Sequence, residues 1–364
     1  MIPLQQFRAL ARVSFARRLS TNVRPRVLVT GSLGQLGSTM VNTLRGARKR
    51  TAKFGQENVV ASDIKKPTLE QRSTGPYVYA DVLNYRALEQ IVVDYGIDWV
   101  VHFSAILSAA GERNPSLGLN VNINGFQNVL ELAKNHKLRI LSPSTMGAFG
   151  PTTPKDMTPD LTIMRPNTIY GISKVHMELL GEYYCEKFGV DFRSLRYPGI
   201  ISADSPPGGG TTDYAVDIFH AALKDNRYTC FLNADTRLPM AYIDDCITGT
   251  MQLLEAPAEA LTQRTYNVHA CAFSPAELAR EICDQHSNDF AIDYVPDFRQ
   301  SIADTWPRTM ADLAARNDWG WNPVFGTSDI VRTMLDKLEP VYKPTPIAQP
   351  SLGASEVPSA AVGH

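Results

Sequence analysis

The sequence predicts an α/β fold, a doubly wound parallel sheet with helices on both faces followed by a smaller C-terminal lobe. Three observations carry this reading. Short apolar runs rich in β-branched residues alternate with stretches of helical spacing, a glycine-rich turn follows the first run, and the alternation loosens past Pro198. Strands that alternate with helices form βαβ units and a parallel sheet. Arg26–Thr30 (RVLVT) reads as the first strand, Gln35 to about Arg50 as the first helix, and Asn58–Ser62 (NVVAS) as the second strand. A helix follows Val82, a strand covers Asp98–Phe103 (DWVVHF), a helix spans Val121–Asn135, and a strand runs through Leu138–Ser142. Beyond Pro198, the stretch Pro206-Pro207-Gly208-Gly209-Gly210 opens shorter, mixed elements. Sheets of this kind bind ligands beyond the C-terminal ends of their strands, where strand order reverses.

Composition narrows the function. With 364 residues, 44% hydrophobic and 20% charged, the chain can bury one large core or two lobes sharing a cleft. A net charge of −1 offers nucleic acid no basic surface. Five cysteines, Cys185, Cys230, Cys246, Cys271 and Cys283, stand apart, without a CxxC or a Cys/His cluster. That pattern argues against a zinc site and a disulfide framework, so no metal is expected and the thiols read as buried in a reducing compartment. No apolar run reaches the roughly 18 to 20 residues that span a bilayer. The first 24 residues carry Arg8, Arg12, Arg17, Arg18 and Arg24 and no acid, with Leu4, Phe7, Ala11 and Phe15 on one helical face. This resembles a mitochondrial transit peptide, which makes the matrix the expected site of action, with a basic disordered arm as the other reading. Residues 343–364, rich in Pro, Ala and Ser, predict a disordered tail.

The glycine-rich turn is Thr30-Gly31-Ser32-Leu33-Gly34-Gln35-Leu36-Gly37. Gly31 and Gly34 permit a tight turn and let backbone amides approach a pyrophosphate, while Gly37 lets the helix pack closely on the strand. Asp63 ends the second strand, where a carboxylate accepts both ribose hydroxyls and repels a 2′-phosphate. NAD is therefore the expected cofactor. Lys65 and Lys66 follow and keep NADP open on charge grounds. Asp81 either reaches the adenine or caps the next helix. Tyr170 and Lys174 sit four apart, on one side of a helix. A nearby ammonium favours the phenolate, so Tyr170 is the expected general base. The pair Ser144-Thr145 lies at a strand end upstream.

Taken together, TGSLGQLG, Asp63, Asp81-Val82, Ser144-Thr145 before Gly147-Ala148-Phe149-Gly150, YGISK and Leu195-Arg196-Tyr197-Pro198-Gly199 resemble the extended short-chain dehydrogenase/reductases over roughly residues 25–340. The resemblance implies a Rossmann NAD domain over 25–197. It implies a substrate lobe mainly over 198–342, with segments returning to the sheet. It makes Thr145 the catalytic hydroxyl, where Ser is the commoner residue, Tyr170 the base, and Lys174 the residue that lowers the phenol and holds the nicotinamide ribose. Cofactor contacts are implied at Gly31, Gly34, Gln35, Leu36, Gly37, Asp63, Asp81, Val82, Ser104, Ala105, Asn122, Tyr170, Lys174 and Pro198.

Within that family, Ser144–Pro151, Arg196–Ile201 and Gly210–Tyr214 are most similar to the members that oxidise the β-hydroxyl of L-threonine with NAD. This implies substrate contacts at Thr145, Tyr170, Thr211, Trp306 and Ser108, with Ser104 a competitor for the last. It also implies a homodimer through Val121–Asn135 and Thr168–Lys187, and a product, 2-amino-3-oxobutyrate, consumed by a CoA lyase. A nucleotide-sugar epimerase or dehydratase is the alternative on the same scaffold, and a non-catalytic NAD-sensing or RNA-associated protein is the alternative from another class.

Overall fold

The computed structural model describes residues 24–46, 54–204 and 208–342. The expectations of a transit peptide and of a C-terminal tail lie outside the described residues, as do Pro206 and Pro207. The strands in chain order are β1 (Val27–Thr30), β2 (Val59–Asp63), β3 (Tyr77–Tyr79), β4 (Trp99–His102), β5 (Arg139–Leu141), β6 (Ser144–Thr145), β7 (Asp191–Tyr197), β8 (Gly199–Ile201), β9 (Arg227–Cys230), β10 (Leu238–Tyr242), β11 (Thr265–Asn267), β12 (Cys271–Phe273) and β13 (Ala291–Tyr294). Eight of them form a parallel sheet in the order β11-β7-β5-β4-β1-β2-β3, with β6 beside β7. The order reverses between β1 and β4, which opens a crevice at their C-terminal ends. Two small sheets, β12-β10-β8 and β13-β9, build the rest.

The principal helices are α1 (Gln35–Arg45), α2 (Tyr85–Tyr95), α3 (Ser108–Arg113), α4 (Phe126–His136), α5 (Ile169–Phe188), α6 (Tyr214–Asp225), α7 (Ile243–Glu255) and α8 (Thr327–Tyr342). Side chains on a strand alternate between faces, and a sheet covered on both faces must be apolar on both. Leu28, Val60, Ile140 and Phe192 face α2, α4 and α5, where Leu88, Phe126, Leu130 and Met177 meet them. Val27, Val29, Ala61, Val101 and Leu195 face the opposite core. That second core runs without a break from Met40 and Leu44 of α1 to Phe219, Met240, Ile247 and Met334 of the C-terminal part.

Local chemistry sets the ends of the elements that matter for the site. Thr168 starts α5 by accepting the Gly171 amide at 3.0 Å, and Gly189 ends it at φ +68°. Near its C-terminal end, the backbone of Gly181 lies against the Phe192 ring, where a Cβ would come within 2.3 Å. Arg193, fully buried, donates to the carbonyls of Leu253 and Ala256 at 2.6 Å each, closing the C-terminal end of α7 while Asp191 balances its charge.

Several elements depart from expectation. The first helix stops at Arg45, because Gly46 adopts φ +84° and its amide bonds back to Asn42 and Thr43. β3 is a short strand that its sequence did not announce. The strand read through Ser142 ends at Leu141, ahead of Pro143, which has no N–H to donate, and β6 starts beside β7. The helix read as Val121–Asn135 is a π-helical stretch, Asn120–Gly125, leading into α4. Asn84 caps α2, whereas Asp81 accepts the Leu83 amide at 2.9 Å. Cys230 and Cys246 are buried, but Cys185, Cys271 and Cys283 are only partly so. Among the described residues no helix is long and apolar enough to cross a membrane, and no group of three or more His, Cys, Asp or Glu side chains is placed to hold a metal ion.

Candidate active site

The crevice begins at the turn after β1. Gly31 holds φ +65° and lies so close to the next strand's exit that a Cβ would fall 2.7 Å from the Ser104 nitrogen. A Cβ on Gly37 would fall 2.1 Å from the Gly31 carbonyl oxygen, so α1 starts hard against the turn. Gln35, Leu36 and Gly37 form the first turn of α1, whose amides have no intrahelical acceptor. The Ser32 hydroxyl is buried without a partner. Asp63, at the end of β2, accepts the amides of Leu33 at 3.0 Å and Lys65 at 3.1 Å, which fixes the carboxylate beside the turn with lone pairs to spare. Lys65 and Lys66 are exposed. Val82 packs against Gly125. This cradle fits a dinucleotide: glycine backbone for the phosphates, helix amides for their charge, and an acid for the ribose.

The second half is built on α5. Its buried face carries Gly171, Ser173, Lys174, Met177, Glu178 and Gly181, the spacing of one helical side. Tyr170 lies at the first turn, surrounded by protein yet still part-exposed, as at the floor of a cleft. Thr145 faces the phenol and favours its charged form, and its Oγ1 accepts the Gly147 amide at 3.1 Å. Lys174 is buried and its Nζ donates to the Pro143 carbonyl at 2.6 Å. Asn122, on the π-helical stretch, takes the Ile106 amide at 2.8 Å, and its Nδ2 donates to the Ile106 carbonyl at 3.0 Å and to Ser173 Oγ at 3.1 Å. The extra residue of a π turn aims that amide inward, and such turns gather at functional sites. A small cavity lined by His102, Ser104, Ala105, Asn122, Ser173 and Lys174 lies between these groups.

The expectation that Lys174 lowers the phenol is not met in this geometry. Nζ sits 5.7 Å from the Tyr170 ring centroid and spends its bond on Pro143. Burial pushes Tyr170 up to about 12, with Thr145 pulling the other way. Burial likewise pushes the Lys174 ammonium down to about 8, against the raising influence of Glu178.

The C-terminal part supplies the cleft's other wall. Trp306 is buried, with its ring 3.5 Å from where a Cβ of Gly147 would stand, which brings it to the Thr145 turn. Backbone bonds hold it there: Thr158 N to Thr309 O at 3.0 Å, Ala311 N to Thr158 O at 2.9 Å and Arg308 N to Lys155 O at 2.7 Å. Thr211 is 1% exposed and its hydroxyl has no partner. Ser108 opens α3, and the neighbouring Leu107 approaches Gly208, so the two loops meet across the cleft. Pro198 is buried between β7 and β8. The sequence reading passed over Glu178, His102 and Glu112. Glu178 repeats the Tyr-Lys spacing one turn on, a signal that was available. Glu112, which accepts the Ile169 amide at 2.8 Å, gave none.

A glycine-lined dinucleotide cradle facing a Thr-Tyr-Lys cluster defines a nicotinamide-dependent class of protein. The chain belongs to the NAD dependent epimerase/dehydratase family, whose model matches residues 27–268, and NAD is its cofactor. Among its relatives, the mitochondrial L-threonine 3-dehydrogenase of Sus scrofa is 55% identical over 314 residues, covering 86% of this chain and 82% of that protein. The crystal structure of L-threonine dehydrogenase from Phytophthora infestans superposes with a TM-score of 0.82 at 53% identity, covering 86% and 99% of the two chains. A GalE-like L-threonine dehydrogenase from Cupriavidus necator, in its holo form, gives a TM-score of 0.82 at 43% identity, covering 86% and 100%.

Proposed function

We propose that this chain oxidises the β-hydroxyl of L-threonine to 2-amino-3-oxobutyrate, with Tyr170 as general base. The observation that carries the reading is the phenol of Tyr170 facing Thr145 at the cleft floor, with Lys174 one turn along the same helix face. NAD, when bound, supplies the hydride acceptor. Gly31, Gly34 and Gly37 with the first turn of α1 would hold its pyrophosphate, Asp63 its ribose, and Lys174 the ribose nearer the reaction. Thr145 and Tyr170 orient the substrate hydroxyl, and Tyr170 Oη takes its proton as the C–H bond breaks. Thr211, Ser108 and Trp306 are the proposed substrate contacts.

A nucleotide-sugar substrate would need free cations for its diphosphate. Of Lys224, Arg227, Arg237 and Arg299 in the C-terminal part, the three arginines are paired with Asp293, Glu277 and Asp297. The names of the mitochondrial relatives and the arginine-rich first 24 residues support action in the mitochondrial matrix. There a CoA-dependent lyase would consume the product. Ile172, Leu179 and Tyr183 leave an exposed apolar stripe on α5, which supports a homodimer.

Mixing the protein with NAD and L-threonine and following absorbance of the reduced cofactor tests the reading, with UDP-sugars as controls. Reduced cofactor should form with threonine alone. Turnover of a UDP-sugar without oxidation of threonine would overturn it.

A further inference from the structure

We infer that Glu178 is a positioning residue, locking the strand that carries Thr145 to the helix that carries Tyr170 and Lys174 and balancing the Lys174 charge. The inference rests on the proposed roles of those three residues and adds a fourth to them. Glu178 is 1% exposed. A carboxylate at that depth is costly unless its lone pairs are filled. Oε1 accepts from Ser144 Oγ and from Arg196 Nε at 3.0 Å, and Oε2 accepts from Arg196 Nη2 at 2.7 Å. Arg196 is fixed in turn by the Asp160 carbonyl at 2.7 Å and Asn267 Oδ1 at 3.2 Å, and its guanidinium lies over the Phe149 ring.

The pattern of these bonds goes beyond an ion pair that fastens helix to strand. Pro143, Ser144 and Thr145 are consecutive, and three residues spaced four apart on α5 meet them. The Pro143 carbonyl accepts from Lys174, Ser144 donates to Glu178, and Thr145 faces Tyr170. A slip of the strand against the helix would break both bonds and carry Thr145 away from Tyr170. A role confined to stability would be met by Arg196 alone and would have no need of the bond beside Thr145.

Charge gives the second strand of the argument. The groups that face Lys174 are Glu178 and Tyr170 on its own helix and His102 of β4 across the small cavity, with Arg196 of β7 behind Glu178. Burial pushes His102 down to about 3, so it stays neutral. Glu178 is therefore the charge that holds the proton on Lys174.

Two variants of the full chain test this, Ser144→Ala, which removes one bond and no charge, and Glu178→Gln. With NAD and threonine saturating, Ser144→Ala should lower kcat about 5- to 10-fold with KM for NAD within about twofold, and Ser144→Thr should restore most of the loss. Glu178→Gln should move the alkaline limb of kcat down by about one pH unit, as Lys174 gives up its proton sooner. The alkaline fall in NADH affinity, read by fluorescence titration without threonine, should move by the same amount. That titration reads Lys174 even in a protein that does not turn over threonine, so failure of the proposed reaction and failure of this inference are distinguishable. Folded variants with the wild-type kcat and wild-type pH limbs, altered only in Tm, would overturn it. Should Glu178→Gln not fold, Ser144→Ala decides.

Discussion

Tyr170 is the residue on which the proposed chemistry turns. Burial pushes its phenol up to about 12, so the reactive, deprotonated form gains as pH rises, and kcat/KM for threonine is expected to climb until Lys174, at about 8, gives up its proton. Tyr170→Phe should cut kcat at least ~100-fold, leave NADH affinity within about twofold and flatten that climb. Equal loss of cofactor affinity would remove Tyr170 from the role of base. The Tyr170–Lys174 spacing was legible because a helix places every fourth residue on one side, and Glu178 was legible on the same ground. The bond from Lys174 to the Pro143 carbonyl was not. It depends on how the link between β5 and β6, 31 residues away, is placed, which no local pattern encodes.

At the scale of elements, α5 is set in depth by Gly171 rather than by its apolar residues. A Cβ there would stand 2.3 Å from the Gly147 carbonyl oxygen and 2.6 Å from Pro166. Gly171→Ala should therefore push the start of α5 off the Thr145 turn, at a cost of about 1–3 kcal/mol in stability. Because Tyr170 is the adjacent residue, kcat should fall about tenfold or more while the denaturation midpoint moves modestly. Unchanged kinetics would show that the turn yields instead. The strands were readable where apolar runs are buried on both faces, as in β1, β2, β4 and β5. β3 was not, since Tyr77-Val78-Tyr79 at the sheet edge is only half-covered and too short for a pattern. The π-helical stretch at Asn120–Gly125 was also invisible, because its spacing differs from that of an α-helix by one residue.

For the whole molecule, the doubly wound sheet is the one that the alternation of strand and helix announced, and β11 returns to its edge after β8, β9 and β10 have gone to the small sheets. The proposed dimer makes a direct demand on its surface. Leu179→Asp with Tyr183→Asp places charge in the apolar stripe of α5, and light scattering should then report a single chain's mass, 40.2 kDa at full length, where the parent gives twice that. A parent that already sediments as one chain would remove the dimer.

The unbroken core from α1 to α8 has a further consequence. The cofactor half has a core of its own on one face of its sheet, but on the other it shares its apolar interior with the substrate half. Heating should melt them as a single cooperative unit, with the calorimetric and van't Hoff enthalpies equal. Two resolved transitions would contradict this. A ligand bound only at the glycine turn would then raise the melting point of residues far down the chain, and a fragment ending near Pro198 would expose a wide apolar face and aggregate.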